Sequence, residues 1–186
     1  IEGVDANIQL DGFLDETVRD RIPAFDGMRV INPDTLEETP FQTDIRVFYT
    51  EQGIYVGAKN HQPEETLVAL MTPRDTQLNR DGFVVGVDAS GTGLYGFFLR
   101  INLGDSMTDA SLLPERQMNM QWDGAWNART QALDDGWSVE YYIPWSMMPL
   151  PQVADTRQIG LYFERQVGSI GGEAWSNPPL PRTVNE

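Results

Sequence analysis

Trp175 stands in "GGEAWSNPPL", residues 171–180, between a glycine pair and a proline pair. That punctuation reads as a loop able to form neither helix nor strand. Its indole then either tucks the loop onto the core or offers an aromatic face to a ligand. Asn102, directly after "LRI", carries an amide that both donates and accepts, and it is equally a turn residue before Leu-Gly. Arg74, next to Asp75 in "TPRDTQLNRD", could bond a ligand, although such a pair more often ties its loop to neighbouring backbone.

The acidic residues raise two further chemistries. A glycosidase needs two carboxylates converging at about 5 to 9.5 Å, and spacing along alternating strands carries no such information. With 28 Asp and Glu in the chain, some pair near a cleft is expected by chance, so hydrolysis is a minor reading. Calcium needs roughly 6 to 8 oxygen ligands. "LGDSMTDAS" or the Asp134-Asp135 turn could supply some, but neither has the D-x-D-x-D-G grammar, so calcium is compatible with the chain and has no assigned site. His61 is the single histidine, which excludes any site built on two imidazoles of this chain, and a lone histidine in a polar loop is read as solvent-exposed. Haem held between His61 and Met147 or Met148 has no second signal to support it.

The elements that must position these residues alternate with period two. In "TDIRVFYT" Ile45, Val47 and Tyr49 share a face, and "EQG" turns the chain into "IYVGA". "GFVVGVD" and "YGFFLRIN" flank "SGTG" as a second hairpin, and "WNARTQAL" and "WSVEYYI" flank "DDG" as a third. "IGLYFERQV" places Ile159, Leu161, Phe163 and Arg165 on one face. "DETVRDRIPAF" and "PWSMM" are the only helix signals, both read as short connectors, the second opened by Pro144. Among the other tryptophans, Trp126, Trp137 and Trp145 read as structural, and Trp122 sits with Trp126 about a turn. The pattern predicts an all-β antiparallel sandwich, jelly-roll-like, with one or two short connecting helices, as a single domain over residues 1–186.

Composition narrows the partners. A formal net charge of -15 repels nucleic acid over most of the surface. No stretch reaches the roughly 18 to 20 consecutive apolar residues of a spanning helix. Zero cysteines excludes disulfides and thiolate sites. Ile1 is not a start residue, which is read as removal of an upstream signal or neighbouring domain.

The order of the pieces then matters. "LDGFLDE", "IYVGAKNHQP", "RDTQLNRDGFVVGVD", "GFFLRINLGD", "WDGAWNARTQALDDGWSVEYYIPWSMM" and "AWSNPP" follow one another along the chain. This order resembles the family 9 carbohydrate-binding modules, in particular the version at the N-terminus of bacterial outer-membrane proteins whose remaining chain looks like a membrane β-barrel. The resemblance implies an exported, non-catalytic module (periplasmic, outer-membrane-associated or extracellular) that binds poly- or oligosaccharide. A pyranose has an apolar face that stacks on an indole and a hydroxyl rim that suits planar donors and acceptors. Carried across, Trp175 matches one of two stacking tryptophans and Arg100 a polar ligand contact; Gln62, Asn102 and Arg74 complete the expected binding set through their own donors and acceptors. Three positions depart: Leu78 replaces the second tryptophan, Gln62 replaces a common aspartate, and Val84 replaces a ligand-binding carboxylate. Those departures carry the alternative, a domain that keeps the fold without the glycan site and docks to the rest of its own polypeptide, a barrel by the same resemblance.

Overall fold

The three predicted hairpins are the frame of the computed structural model, which describes residues 1–70, 79–114, 117–150, 156 and 158–180. In chain order the strands are β1 Glu2–Gly3, β2 Arg29–Asn32, β3 Thr43–Tyr49, β4 Gly53–His61, β5 Gly82–Asp88, β6 Gly96–Asn102, β7 Ser106–Leu113, β8 Gln117–Asn119, β9 Asn127–Leu133, β10 Gly136–Pro144, β11 Gly160–Val167 and β12 Glu173–Asn177. They form a five-stranded sheet, β1-β3-β4-β10-β9, and a seven-stranded sheet, β2-β12-β11-β5-β6-β7-β8. All pairings are antiparallel except β1 on β3. The predicted connectors are single 3₁₀ turns at Arg19–Arg21 and Trp145–Met147, joined by two more at Glu64–Thr66 and Gly168–Ile170.

Alternation decides what lies between the sheets. Ile45 and Val47 of β3, Ile54, Val56 and Ala58 of β4, and Trp137, Val139 and Tyr141 of β10 meet Phe83, Val85 and Val87 of β5, Leu99 and Ile101 of β6, and Phe163 of β11. The Tyr141 hydroxyl crosses the layer and donates to the Phe83 carbonyl at 2.7 Å. Trp126, just before β9, stacks on Tyr141 at 5.6 Å and donates to Asp109 Oδ2 at 3.0 Å, and it joins Trp137 of β10 in the core.

The N-terminal segment straps the outer face of the five-stranded sheet. Glu140 Oε2 accepts the Asp11 and Gly12 amides at 3.0 and 2.9 Å, its Oε1 accepts from Arg19, and both partners of that ion pair are buried. Burial pushes the Glu140 carboxyl up, against the Arg19 charge and the Gly12 amide. The Arg19 guanidinium lies directly over Gly57, where a side chain would collide with it. Glu140→Ala would leave Arg19 buried without its main anion. It is expected to lower the unfolding free energy by about 3–5 kcal/mol and to expose residues 4–25 to limited proteolysis before the sandwich itself is cut.

Candidate functional site

Sheet alternation that sends Leu99 and Ile101 inward sends Arg100 and Asn102 outward, onto the exterior of the seven-stranded sheet. On β11, two strands away, Gln166 points the same way because its neighbours Arg165 and Val167 are buried inside. Between them lies Gly82, paired with both Asn102 and Gln166. A Cβ at Gly82 would sit 2.6 Å from Asn102 Oδ1 and 3.4 Å from Arg100 Nη2, so the missing side chain is what lets the guanidinium cross β5. Arg100 Nε donates to Asn102 Oδ1 at 3.2 Å, and Arg100 Nη2 donates to Gln166 Oε1. Gly172 repeats the device, since a Cβ there would meet Asn79 Oδ1 at 2.6 Å and Gln166 Nε2 at 2.9 Å. Half-buried Arg100 and Gln166 and exposed Asn79 thus form one row of planar groups over two glycines.

The same face continues down the strands. Val84 pairs with Arg100 and Glu164, and Gly86 pairs with Phe98 and Tyr162. Tyr162 donates to Glu164 Oε2 at 2.8 Å, and its Cβ comes within 3.1 Å of where a Gly86 side chain would be. Half-buried aromatic rings therefore flank the row on the small floor of Gly82, Val84 and Gly86. Glu164, Gln166 and Asn79 are the residues that sequence reasoning missed. The alternation of "IGLYFERQV", which turns Arg165 inward, is the signal that turns Glu164 and Gln166 outward.

Trp175 is elsewhere. Its segment is strand β12, paired with β11 and β2, because Gly171 and Gly172 (φ 72° and 75°) make a turn before it and Pro178 ends it; these residues bracket the strand and do not break it. The side chain is 0 % exposed, on the core side of the sheet. Phe41 packs on the ring at 6.0 Å, the Arg165 guanidinium lies over it at 4.9 Å, and its Nε1 donates to Glu173 Oε1. No face is left for a sugar, which corrects the expectation of a loop platform.

Gln62 is corrected in the same way. It is 3 % exposed and spent at both ends: Oε1 accepts from Arg165 Nη2 at 3.0 Å, and Nε2 donates to the Thr66 carbonyl at 3.0 Å and faces Asp81 Oδ2 at 3.3 Å. Asn102, 1 % exposed, donates from Nδ2 to the Ser106 carbonyl at 3.2 Å and accepts from Arg100 Nε at Oδ1, so it orients the arginine and does not face a ligand itself. Arg74, with Asp75 and Leu78, lies outside the described residues. His61 is not in a loop but ends β4, with Nε2 3.0 Å from Asp44 Oδ2.

Three of the acids considered for calcium are engaged with the protein. Asp105 accepts the Thr130 amide at 2.8 Å, Asp109 accepts the Gly124 amide at 2.8 Å, and Asp135 pairs with Lys59 at 2.7 Å. Among the described residues no three acidic or histidine side chains converge as metal ligands.

No protein-family model matches the chain, and neither does any curated protein sequence. Solved structures do match. A family 9 carbohydrate-binding module from Caldicellulosiruptor kristjanssonii in complex with glucose is similar with a TM-score of 0.68 and 14 % identity, over 100 % of this chain and 87 % of that one. The module from the same organism in complex with cellotriose gives 0.64 and 14 %, over 99 % and 85 %. A candidate carbohydrate-binding protein from Bacteroides uniformis gives 0.74 and 11 %, over 100 % and 90 %. This chain has the family 9 carbohydrate-binding-module fold.

Within that family 9 fold, Trp175 and Arg100 sit on opposite faces of one sheet and cannot grip a single ligand together. Trp175→Ala is accordingly expected to act on stability. It should cost about 3–5 kcal/mol, read as an earlier denaturant midpoint, whereas Trp175→Phe should recover most of that loss.

Proposed function

We propose that the domain is a non-catalytic glycan-binding module whose contact surface is the outer face of the seven-stranded sheet at Arg100, Gln166 and Asn79. The observation that carries this is the row of planar polar groups laid over Gly82 and Gly172, flanked by the half-buried rings of Phe98 and Tyr162. A guanidinium held by Asn102 on one side and Gln166 on the other is pre-oriented, so little side-chain freedom is lost when it donates to sugar hydroxyls. The rings offer apolar area to the C–H face of a pyranose. The glucose and cellotriose held by modules of the same fold support a neutral glycan as the ligand class, and so does the net charge of -15.

A second reading draws on the burial of Trp175: a sandwich that keeps the fold without the stacking clamp serves as an exported docking domain for the rest of its own polypeptide in the cell envelope. Calorimetric titration with glucose, cellotriose and other neutral oligosaccharides separates the two. Glycan binding predicts saturable heat that Arg100→Ala weakens at least about tenfold, the loss of one charge-assisted hydrogen bond, while Trp175→Phe retains it. Affinity unchanged in Arg100→Ala would sink the proposed surface. A flat response from the intact domain to every sugar favours the docking reading.

A further inference from the structure

At the other pole of the sandwich a cleft of about 1230 Å³ opens between the β3–β4 turn, the start of β11 and the β5–β6 turn. Its distance from the Arg100 row follows from β5, which runs from Gly82 at one site to Asp88 at the other; six residues at about 3.3 Å each put them roughly 20 Å apart. Two aromatic rings make its corner. Tyr49, 39 % exposed, ends β3, and its ring edge rests on Gly3 so closely that a Cβ there would lie 2.7 Å away. Trp145, half-buried, meets Tyr49 at 6.1 Å and 67°. The indole is fixed by its Nε1, which donates to the Thr50 carbonyl at 2.9 Å, and by its backbone amide, which donates to the Gln52 carbonyl at 3.1 Å.

The opposite wall is backbone with little side chain. Asp88 gathers the β5–β6 turn, accepting the Ser90 and Gly91 amides at Oδ1 and the Gly93 amide at Oδ2, 2.6 Å away. Nothing lies within 4 Å of where a Gly93 side chain would stand, so the space above that turn is open. Ile159 and Leu161 floor the cleft, and Gln158, Thr156 and Glu51 rim it. No Lys or Arg is among the described residues that line it. Locked aromatic faces with an amide, hydroxyl and carboxylate rim and no Lys or Arg suit a neutral, hydroxylated ring and disfavour an anion.

We infer that this cleft is a second ligand site, at which Tyr49 and Trp145 receive a neutral pyranose of an oligosaccharide. The site rests on its own geometry, and only the choice of ligand class draws on the glycan reading above. The test is two-dimensional amide NMR of the intact domain titrated with cellotriose, xylotriose, maltotriose and, separately, tetramethylammonium. The Trp145 indole peak, assigned through Trp145→Phe, reports the cleft, and the Gln166 and Asn79 side-chain amides report the Arg100 row.

The expected result is a saturable shift of the Trp145 indole with at least one trisaccharide, retained in Arg100→Ala. Tyr49→Ala should weaken it about tenfold while leaving the dispersed spectrum of the fold intact. A Trp145 peak that no trisaccharide moves, or that moves only with tetramethylammonium, overturns the inference, as does unchanged affinity in a folded Tyr49→Ala. Movement of the Gln166 and Asn79 amides without Trp145 would leave the first surface standing and this one fallen. Movement of Trp145 alone would do the reverse, and no movement at either would remove both.

Discussion

Arg165 places a cation in the interior of the sandwich, and the end of the molecule that carries the Arg100 row is arranged around it. Its side chain is 0 % exposed, and leaving a guanidinium dry without partners costs several kcal/mol. From β11 it reaches across to the other sheet, donating through Nη1 to the Gln42 carbonyl and Thr43 Oγ1 and through Nη2 to the His61 carbonyl and Gln62 Oε1, all between 2.9 and 3.1 Å. Burial lowers its pKa to about 9, against the charges of Asp81 and Asp26. Trp175 covers one side of it with an indole face. Gln62 relays the arrangement to Asp81, whose oxygens hold the amides of Val68 and Gly168 at 2.7 and 3.0 Å. The amide suits that relay, because it accepts from the cation with one end and donates to the carboxylate with the other, which neither Glu nor Lys does.

The position of the polar row outside follows from the same strand. Period-two alternation forces Gln166 outward once Arg165 is inward, and Gly168, the residue that Asp81 grips, closes β11 just beyond it. Asp81 also stands directly before Gly82, the gap through which Arg100 reaches Gln166. The outer face is thus held from within: the buried network fixes the ends of β5 and β11, and the glycines let the exposed side chains lie flat on them. A rigid scaffold under few polar contacts is the arrangement that keeps the ordering cost of binding low.

Much of the sandwich was legible because half-buried antiparallel strands write their register into the chain. Three hairpins, the 159–167 run with Arg165 on its inner face, and the core roles of Trp126 and Trp137 follow from alternation and turn residues alone. β12 was hidden because its brackets, Gly171-Gly172 and Pro178-Pro179, are the residues that elsewhere signal a loop. β7 was hidden because "SMTDASLL" mixes small polar residues into its inner positions. The candidate site residues separate for a related reason. Residue type says that Trp175, Gln62 and Asn102 can meet a sugar, but register puts Trp175 on the core face, and the buried amides of Gln62 and Asn102 are spent on protein partners. Arg100 alone of the described candidates falls on the outer face with its charge partly open to solvent.

The charge balance constrains what such a surface can recruit. With 28 acidic side chains against 13 basic ones, several cations are already committed inside or to local pairs: Arg165 to the core, Arg19 to Glu140, Lys59 to Asp135. An anionic glycan approaching the Arg100 row would meet Glu164 on the same strand face and the field of the whole domain, so one guanidinium between two amides offers geometry without net attraction. A neutral glycan, the proposed ligand, would meet no such repulsion, and its affinity would rest on short-range stacking and hydrogen bonds. Binding of that kind depends weakly on ionic strength, which would distinguish the proposed surface from a basic groove built to capture phosphate or uronate.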